Sequence, residues 1–166
     1  MAEMAQKRPF YAQGLRFSCT RCSTCCRHES GFVFLSEKDV SALVVALSID
    51  HEDFLSKFCR WDWRASEGPA RLSLKEKANY DCIFWSAEKE GCSVYDARPI
   101  QCRAFPFWSL IVSSEKNWKS TAKDCPGIGR GDIVPFGSIE KWLALRKNEP
   151  IISRNVENNI KKEGEF

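Results

Sequence analysis

The order of apolar and polar positions divides this chain into many short elements. Gly31-Phe-Val-Phe-Leu35 is a brief aromatic and β-branched run, which predicts a strand. Ser36 follows as a helix N-cap with Asp39 in the first turn, and Val40, Leu43, Val44 and Leu47 then recur on one helical face. A second helix is predicted from Asp50, burying Phe54, Leu55 and Phe58 and ending at Cys59. Gly68-Pro69 marks a turn, and residues 71–74 predict a strand. Residues 82–85 and 92–95 flank the polar Glu88-Lys-Glu-Gly91, which predicts a β-hairpin whose strands each begin with a cysteine.

Pro99 suits the first position of a single helical turn over residues 100–104. The apolar runs 105–108 and 110–112 predict a return to the core as a strand. Ser138 is read as the cap of a last helix carrying Ile139, Trp142, Leu143 and Leu145, interrupted by Pro150. Residues 1–16 are expected to be a flexible lead-in, with Phe10, Tyr11 and Leu15 docking on the core edge. Residues 150–166 form a polar tail in which Ile152, Val156 and Ile160 fall at four-residue steps, the pattern of a frayed amphipathic helix. The body, 17–149, is expected to be one domain, because 166 residues suffice for one core and are short for two.

Composition narrows the function classes. A net charge of +3, with no basic run interleaved with aromatics, argues against nucleic acid as a partner. The longest aliphatic run, residues 42–47, is far too short to span a membrane. Residues 1–14 lack the apolar stretch and cleavage site of a secretory signal, so a cytoplasmic location is expected. In that reducing compartment dense cysteines are metal ligands more often than disulfides, and nine thiols cannot all pair within one chain.

The cysteine pattern carries the chemistry. Cys19-Thr-Arg-Cys22-Ser-Thr-Cys25-Cys26 places four thiols within eight residues. Each C-x-x-C step turns two thiolates toward one centre, and two steps in series deliver three sulfurs to one point. Iron–sulfur proteins present three ligands of a cubane in this way, with the fourth arriving from elsewhere. Serial knuckles fit a loop better than a long helix. Cys59, at the end of a helical stripe, reads as a packed thiol. Setting it aside leaves Cys19, Cys22, Cys25, Cys26, Cys82, Cys92, Cys102 and Cys125, two complete sets of four or one site with buried remainders. Adjacent Cys25 and Cys26 would face opposite ways on extended backbone, which favours two sites. The glycines of Cys125-Pro-Gly-Ile-Gly-Arg-Gly131 are read as letting backbone approach the metal site, not as a phosphate loop. His28 and His51 read as surface residues, and no zinc-protease, P-loop or dinucleotide fingerprint is present.

Taken in order, the cysteine cluster, Leu35-Ser-Glu-Lys-Asp39, Gly91-Cys92-Ser-Val-Tyr95, Arg98-Pro-Ile-Gln-Cys102-Arg-Ala-Phe-Pro106 and Cys125-Pro-Gly-Ile-Gly129 resemble a known family. They are similar to the CxxCxxCC (YkgJ-like) zinc- or iron-chelating proteins over residues from about 17 to about 135. That family includes the flagellin lysine-N-methylases, larger bacterial proteins for which the resemblance implies an iron–sulfur cluster. Relatives place Gly where this chain has Ser23.

Zinc sites commonly pair one C-x-x-C knuckle from each half, whereas here both knuckles lie at one end and the other thiols are solitary. Iron–sulfur, with 4Fe–4S favoured, is therefore the expected cofactor, and zinc is the alternative. Cys19, Cys22 and Cys25 with Cys102 are the expected ligands of the cluster, leaving Cys26, Cys82, Cys92 and Cys125 for a second site. Arg98 and Arg103, which flank Cys102, are expected to offset the negative charge of a multi-thiolate centre. The fold class is α+β, a small irregular domain with short helices and a small antiparallel sheet organised around the metal. Three roles follow: a redox or metal-handling protein with an unnamed partner, a protein-modifying enzyme like the methylases, or an interaction module stapled by zinc.

Overall fold

In the computed structural model, which describes residues 8–63 and 68–155, local signals and long-range pairings alternate along the chain. Strand β1 (Leu15–Phe17) precedes the cysteine loop, in which Thr24–Cys26 forms a single 3-10 turn. Helices α1 (Glu37–Leu47) and α2 (His51–Phe58) follow, then strands β2 (Cys59–Asp62) and β3 (Ala70–Leu74). A tight hairpin of β4 (Trp85–Ser86) and β5 (Gly91–Cys92) leads to the short helix α3 (Ile100–Ala104). Helix α4 (Glu115–Thr121), strand β6 (Ile128–Val134), helix α5 (Phe136–Asn148) and strand β7 (Ser153–Arg154) complete the described chain. Five α-helices and three small antiparallel sheets among the described residues make a mixed α+β domain.

The helix starts are set locally. Ser36 accepts a hydrogen bond from the Asp39 N–H, and Asp39 accepts one from the Ser36 N–H, a complete capping box. Asp50 caps α2 through the Asp53 N–H at 2.8 Å. Pro99 stands immediately before α3, one residue outside the first helical position expected for it. Helix α5 begins at Phe136 behind Pro135, so Ser138 lies inside its first turn and is not the cap.

Two apolar clusters divide the interior. Leu35, Val40, Leu43 and Phe54 pack with Leu72, Leu74, Phe84 and Val94 beneath α1 and α2. The second cluster gathers Tyr11, Phe107, Ile111, Val112, Trp118 and Ile139. The chain crosses between them repeatedly. It passes from β1 beside the second cluster to α1 in the first, and later along α3 toward Phe107.

Several sequence expectations change here. The 31–35 run is extended, but among the described residues its only β-bridge is Phe34 to Ser73. Its polar backbone is met largely by side chains: Gln101 Oε1 accepts from the Phe34 N–H at 3.0 Å and Gln101 Nε2 donates to the Phe32 carbonyl at 2.6 Å. Ser73 Oγ accepts from the Val33 N–H at 3.1 Å. A ladder thus never forms along the whole run. Residues 105–112 are not a strand: a turn leads to a 3-10 turn at Ile111–Ser113, because Pro106 has no N–H for a ladder and short apolar runs carry no decisive period. The hairpin is real but shifted, with Cys92 directly opposite Trp85 and Cys82 in the turn before β4. Helix α4 and strand β6 were not legible as such.

Both ends of the described chain are built in. Tyr11 is buried, stacks on Phe136 and donates to Glu140 at 2.9 Å. Strand β7 adds to β3, while the Ile152 N–H donates to Leu35 at 2.9 Å, so residues 151–155 are not helical. Val156 and Ile160 of the expected tail helix lie outside the described residues.

Candidate metal centre

The opening loop is shaped by left-handed residues. Arg21 (φ 55°) and Ser23 (φ 63°) turn the backbone on either side of Cys22, and the Cys26 N–H closes on the Ser23 carbonyl at 2.8 Å. A positive φ at position 23 is the conformation glycine adopts most readily, which gives a physical reason for Gly at this place. Because Cys25 and Cys26 lie in the 3-10 turn and not on extended backbone, their sulfurs do not point apart. They are 3.7 Å from one another, which corrects the expectation that Cys26 faces away from its neighbour.

The distant thiols arrive by two routes. Strands β1 and β6 pair antiparallel with Phe17 opposite Ile128, and the Ser18 N–H donates to the Gly127 carbonyl at 3.1 Å. That register puts Cys125 at the end of the sheet where Cys19 begins the loop. Glycine is required here: a Cβ on Gly127 would lie 2.4 Å from the Ser18 carbonyl oxygen, and one on Gly131 (φ +71°) 2.5 Å from the Ser18 Cβ. The glycine-rich segment therefore approaches the backbone immediately before Cys19. On the other side, the Cys82 N–H donates to the Cys26 carbonyl at 2.8 Å, and the hairpin sets Cys92 beside it. Cys102 projects from α3. Cys25, Cys26, Cys82 and Cys102 line one cavity of about 230 Å³, walled by Phe105 and Trp108.

Charge distinguishes the thiols. The hydrogen bond from the Cys26 thiol holds Cys25 down to about 7 and pushes Cys26 up. Burial raises Cys82, Cys92, Cys102 and Cys125, and neighbouring thiolates add to the rise. At Cys22 burial also acts upward, but hydrogen bonds from Thr24 and Thr20 outweigh it and lower the thiol. Arg98 opposes the rise at Cys92 and Cys102 and helps lower Cys25. Its guanidinium lies 3.5 Å over the Tyr95 ring, and its Nε donates to the Tyr95 carbonyl. Arg21 covers the same ring at 4.6 Å. Tyr95 thus ties the opening loop to the segment before α3 and concentrates positive charge beside the thiols.

Arg103 is exposed in the last turn of α3. Arg27 has a structural post the sequence did not reveal: it pairs with Asp81 at 3.2 Å and lies 3.8 Å over Trp85. Asp81 is buried, which raises its carboxyl, but bonds from Asn79 and Arg27 outweigh this and keep it below the usual range. His28 is exposed at φ 76°, and His51 is exposed beside Glu52.

These donors fit a thiophilic metal centre by chemistry and by location, since soft thiolates gather where the chain crosses between its two clusters. Among the described residues, no three His, Cys, Asp or Glu side chains stand close enough to hold a metal ion as they are. The five raised thiols, Cys26, Cys82, Cys92, Cys102 and Cys125, would be neutral without a cation, and a bound metal would displace their protons.

Cys59 stands apart in the first cluster, 6 % exposed, and burial pushes its thiol up to about 12. Cys59→Ala is expected to leave the metal content per chain unchanged and to cost on the order of 1 kcal/mol of packing. Metal analysis with a denaturation curve checks this, and loss of one metal equivalent would place Cys59 among the ligands.

The fold and its thiols define a cysteine-rich protein of mixed α+β class. The chain belongs to the CxxCxxCC family, described as "Putative zinc- or iron-chelating domain", whose profile matches residues 18–126. It is also similar to an uncharacterised protein of Methanocaldococcus jannaschii, 27% identical over 97 residues, which cover 58% of this chain and 48% of that protein. The chain therefore matches about half the length of that curated relative. No solved structure matches it. No helix among the described residues is long and apolar enough to cross a membrane.

Proposed function

We propose that this chain is a redox or metal-handling protein built on a cysteine-ligated iron–sulfur centre of the 4Fe–4S type, working in the reducing cytoplasm. The observation that carries the reading is the run of Cys19, Cys22 and Cys25 on one loop of left-handed turns, all three exposed. Three serial thiolates with a remote fourth suit a cubane better than a lone tetrahedral ion. The register of β1 with β6 favours Cys125 as that fourth ligand over Cys102, since it brings Cys125 to the start of the loop. Arg98 supports the reading as a counter-charge to a multi-thiolate anion.

Zinc is favoured by one separate observation. A tetrahedral site with zinc–sulfur bonds of about 2.3 Å has sulfurs about 3.8 Å apart. The Cys25–Cys26 separation of 3.7 Å matches that edge. Protein purified without oxygen decides between them. It is expected to be brown, to contain acid-labile sulfide and to bleach on reduction. Colourless anaerobic protein with stoichiometric zinc and no sulfide would establish the zinc reading instead. Zinc in aerobically purified protein does not discriminate, because zinc fills thiolate sites after a cluster is lost.

A further inference from the structure

We infer that Cys26, Cys82, Cys92 and Cys102 form a second four-thiolate metal site, adjoining the first at the Cys25–Cys26 pair. The inference rests on the reading of the opening loop as a metal centre and extends it to a two-centre protein. Its basis is how the backbone distributes the thiols. Cys19, Cys22 and Cys125 belong to the end of the β1–β6 sheet, fixed by the Ser18–Gly127 bond. Of the remaining remote thiols, Cys82 and Cys92 pack against the other apolar cluster and approach from a different direction, and Cys102 arrives on α3. Cys82 is bonded through its N–H to the Cys26 carbonyl at 2.8 Å, and the Trp85 N–H bonds back to Cys82 at 2.9 Å. Trp85 is in turn the cross-strand partner of Cys92, so the hairpin delivers both cysteines as a unit.

Cys102 is delivered just as firmly. The Ile100 N–H at the start of α3 donates to the buried Asp39 carboxylate at 2.7 Å. The next residue, Gln101, is clamped by its two amide bonds to Phe34 and Phe32. A helix of five residues held at both of its first positions has little freedom to swing its third side chain. It directs Cys102 into the cavity that Cys26 and Cys82 also line. A wall on which Cys26, Cys82 and Cys102 are each half-buried is the setting of a closed thiolate site for a thiophilic cation or cluster.

Native mass spectrometry of the anaerobic wild-type chain counts the centres directly, and two per chain are expected. Cys92→Ala and Cys102→Ser should each remove one centre and leave the other with its spectrum unchanged. Cys125→Ser should remove the opposite centre. Thiol alkylation of the loaded wild-type protein gives a measure independent of variant folding: Cys26, Cys82, Cys92 and Cys102 should be protected together and released together by chelation. One centre per wild-type chain overturns the inference, as does a folded Cys92→Ala that keeps both, or free labelling of Cys82 and Cys92 in loaded protein. Two zinc ions per chain with no sulfide would uphold the second site while refuting the iron–sulfur reading, so the two fail separately.

Discussion

Stripping the metal from loaded protein is expected to lower its thermal midpoint by more than about 10 °C, given that roughly 2–4 °C accompanies each kcal/mol in a chain of this size. Structural zinc contributes about 10–16 kcal/mol of apparent binding energy in small zinc peptides, and part of any such energy becomes folding energy when the unfolded chain has no site. Here the thiols stand where the chain passes between two apolar clusters: Cys19–Cys26 on one crossing, Cys102 on another, with Cys82 and Cys92 beside the first cluster. Without the metal those crossings are tied by few bonds, among them Ser18 to Gly127 and Cys82 to Cys26. Each cluster retains its own buried residues, so the stripped protein should lose midpoint and sharpness before it loses helix content. Cys22→Ser should reproduce the shift without a chelator. Calorimetry of both preparations checks this, and an unchanged melting curve after verified metal removal would contradict it.

Asp39→Ala is expected to cost about 3–5 kcal/mol, because three donors lose one buried acceptor and bonds to charged groups contribute about 1.5–3 kcal/mol each. The carboxylate receives the Ser36 N–H at 2.9 Å, the Ser36 hydroxyl at 2.8 Å and the Ile100 N–H at 2.7 Å. It is 4 % exposed, so water cannot readily replace it. One side chain therefore closes the N-terminus of α1 and the N-terminus of α3 together. The midpoint should fall by on the order of 10 °C. Asp39→Asn, which keeps an acceptor oxygen, should recover a substantial part. Because α3 carries Cys102, Asp39→Ala should also weaken metal retention, measured by competition with a chelator. A loss below about 1 kcal/mol would show that the Ile100 bond is dispensable.

Local chemistry was read well wherever one residue acts on its near neighbours. The cap at Ser36, the helix starts near Asp50 and Pro99, the apolar stripe of α1 and the burial of Cys59 are all decided within a few residues, and the structure has them within a residue of their expected places. The reading failed where partners come from afar. Gln101 satisfies the Phe32 and Phe34 backbone across nearly seventy positions of chain, and nothing in a local apolar period announces that. The Cys25–Cys26 geometry failed for a different reason. Adjacent side chains diverge on a strand but not in a 3-10 turn, and the left-handed Ser23 sets up the turn.

By itself, then, the sequence determined the candidate donors: eight soft thiols, three of them in serial knuckles, and a thiol at Cys59 set apart by its place on an apolar stripe. Donor type and close spacing are properties of neighbouring residues, so no fold is needed to see them. Which remote thiol meets which end of the loop was decided only by the tertiary structure. Cys125 comes to Cys19 because β6 pairs with β1 and because Gly127 and Gly131 leave room for Ser18. Cys82 comes to Cys26 through a single backbone bond, and Cys102 through a helix fastened by Asp39 and Gln101. Each of these depends on backbone paths that meet only when both apolar clusters have formed, and solitary cysteines carry no local signal of the path that brings them together.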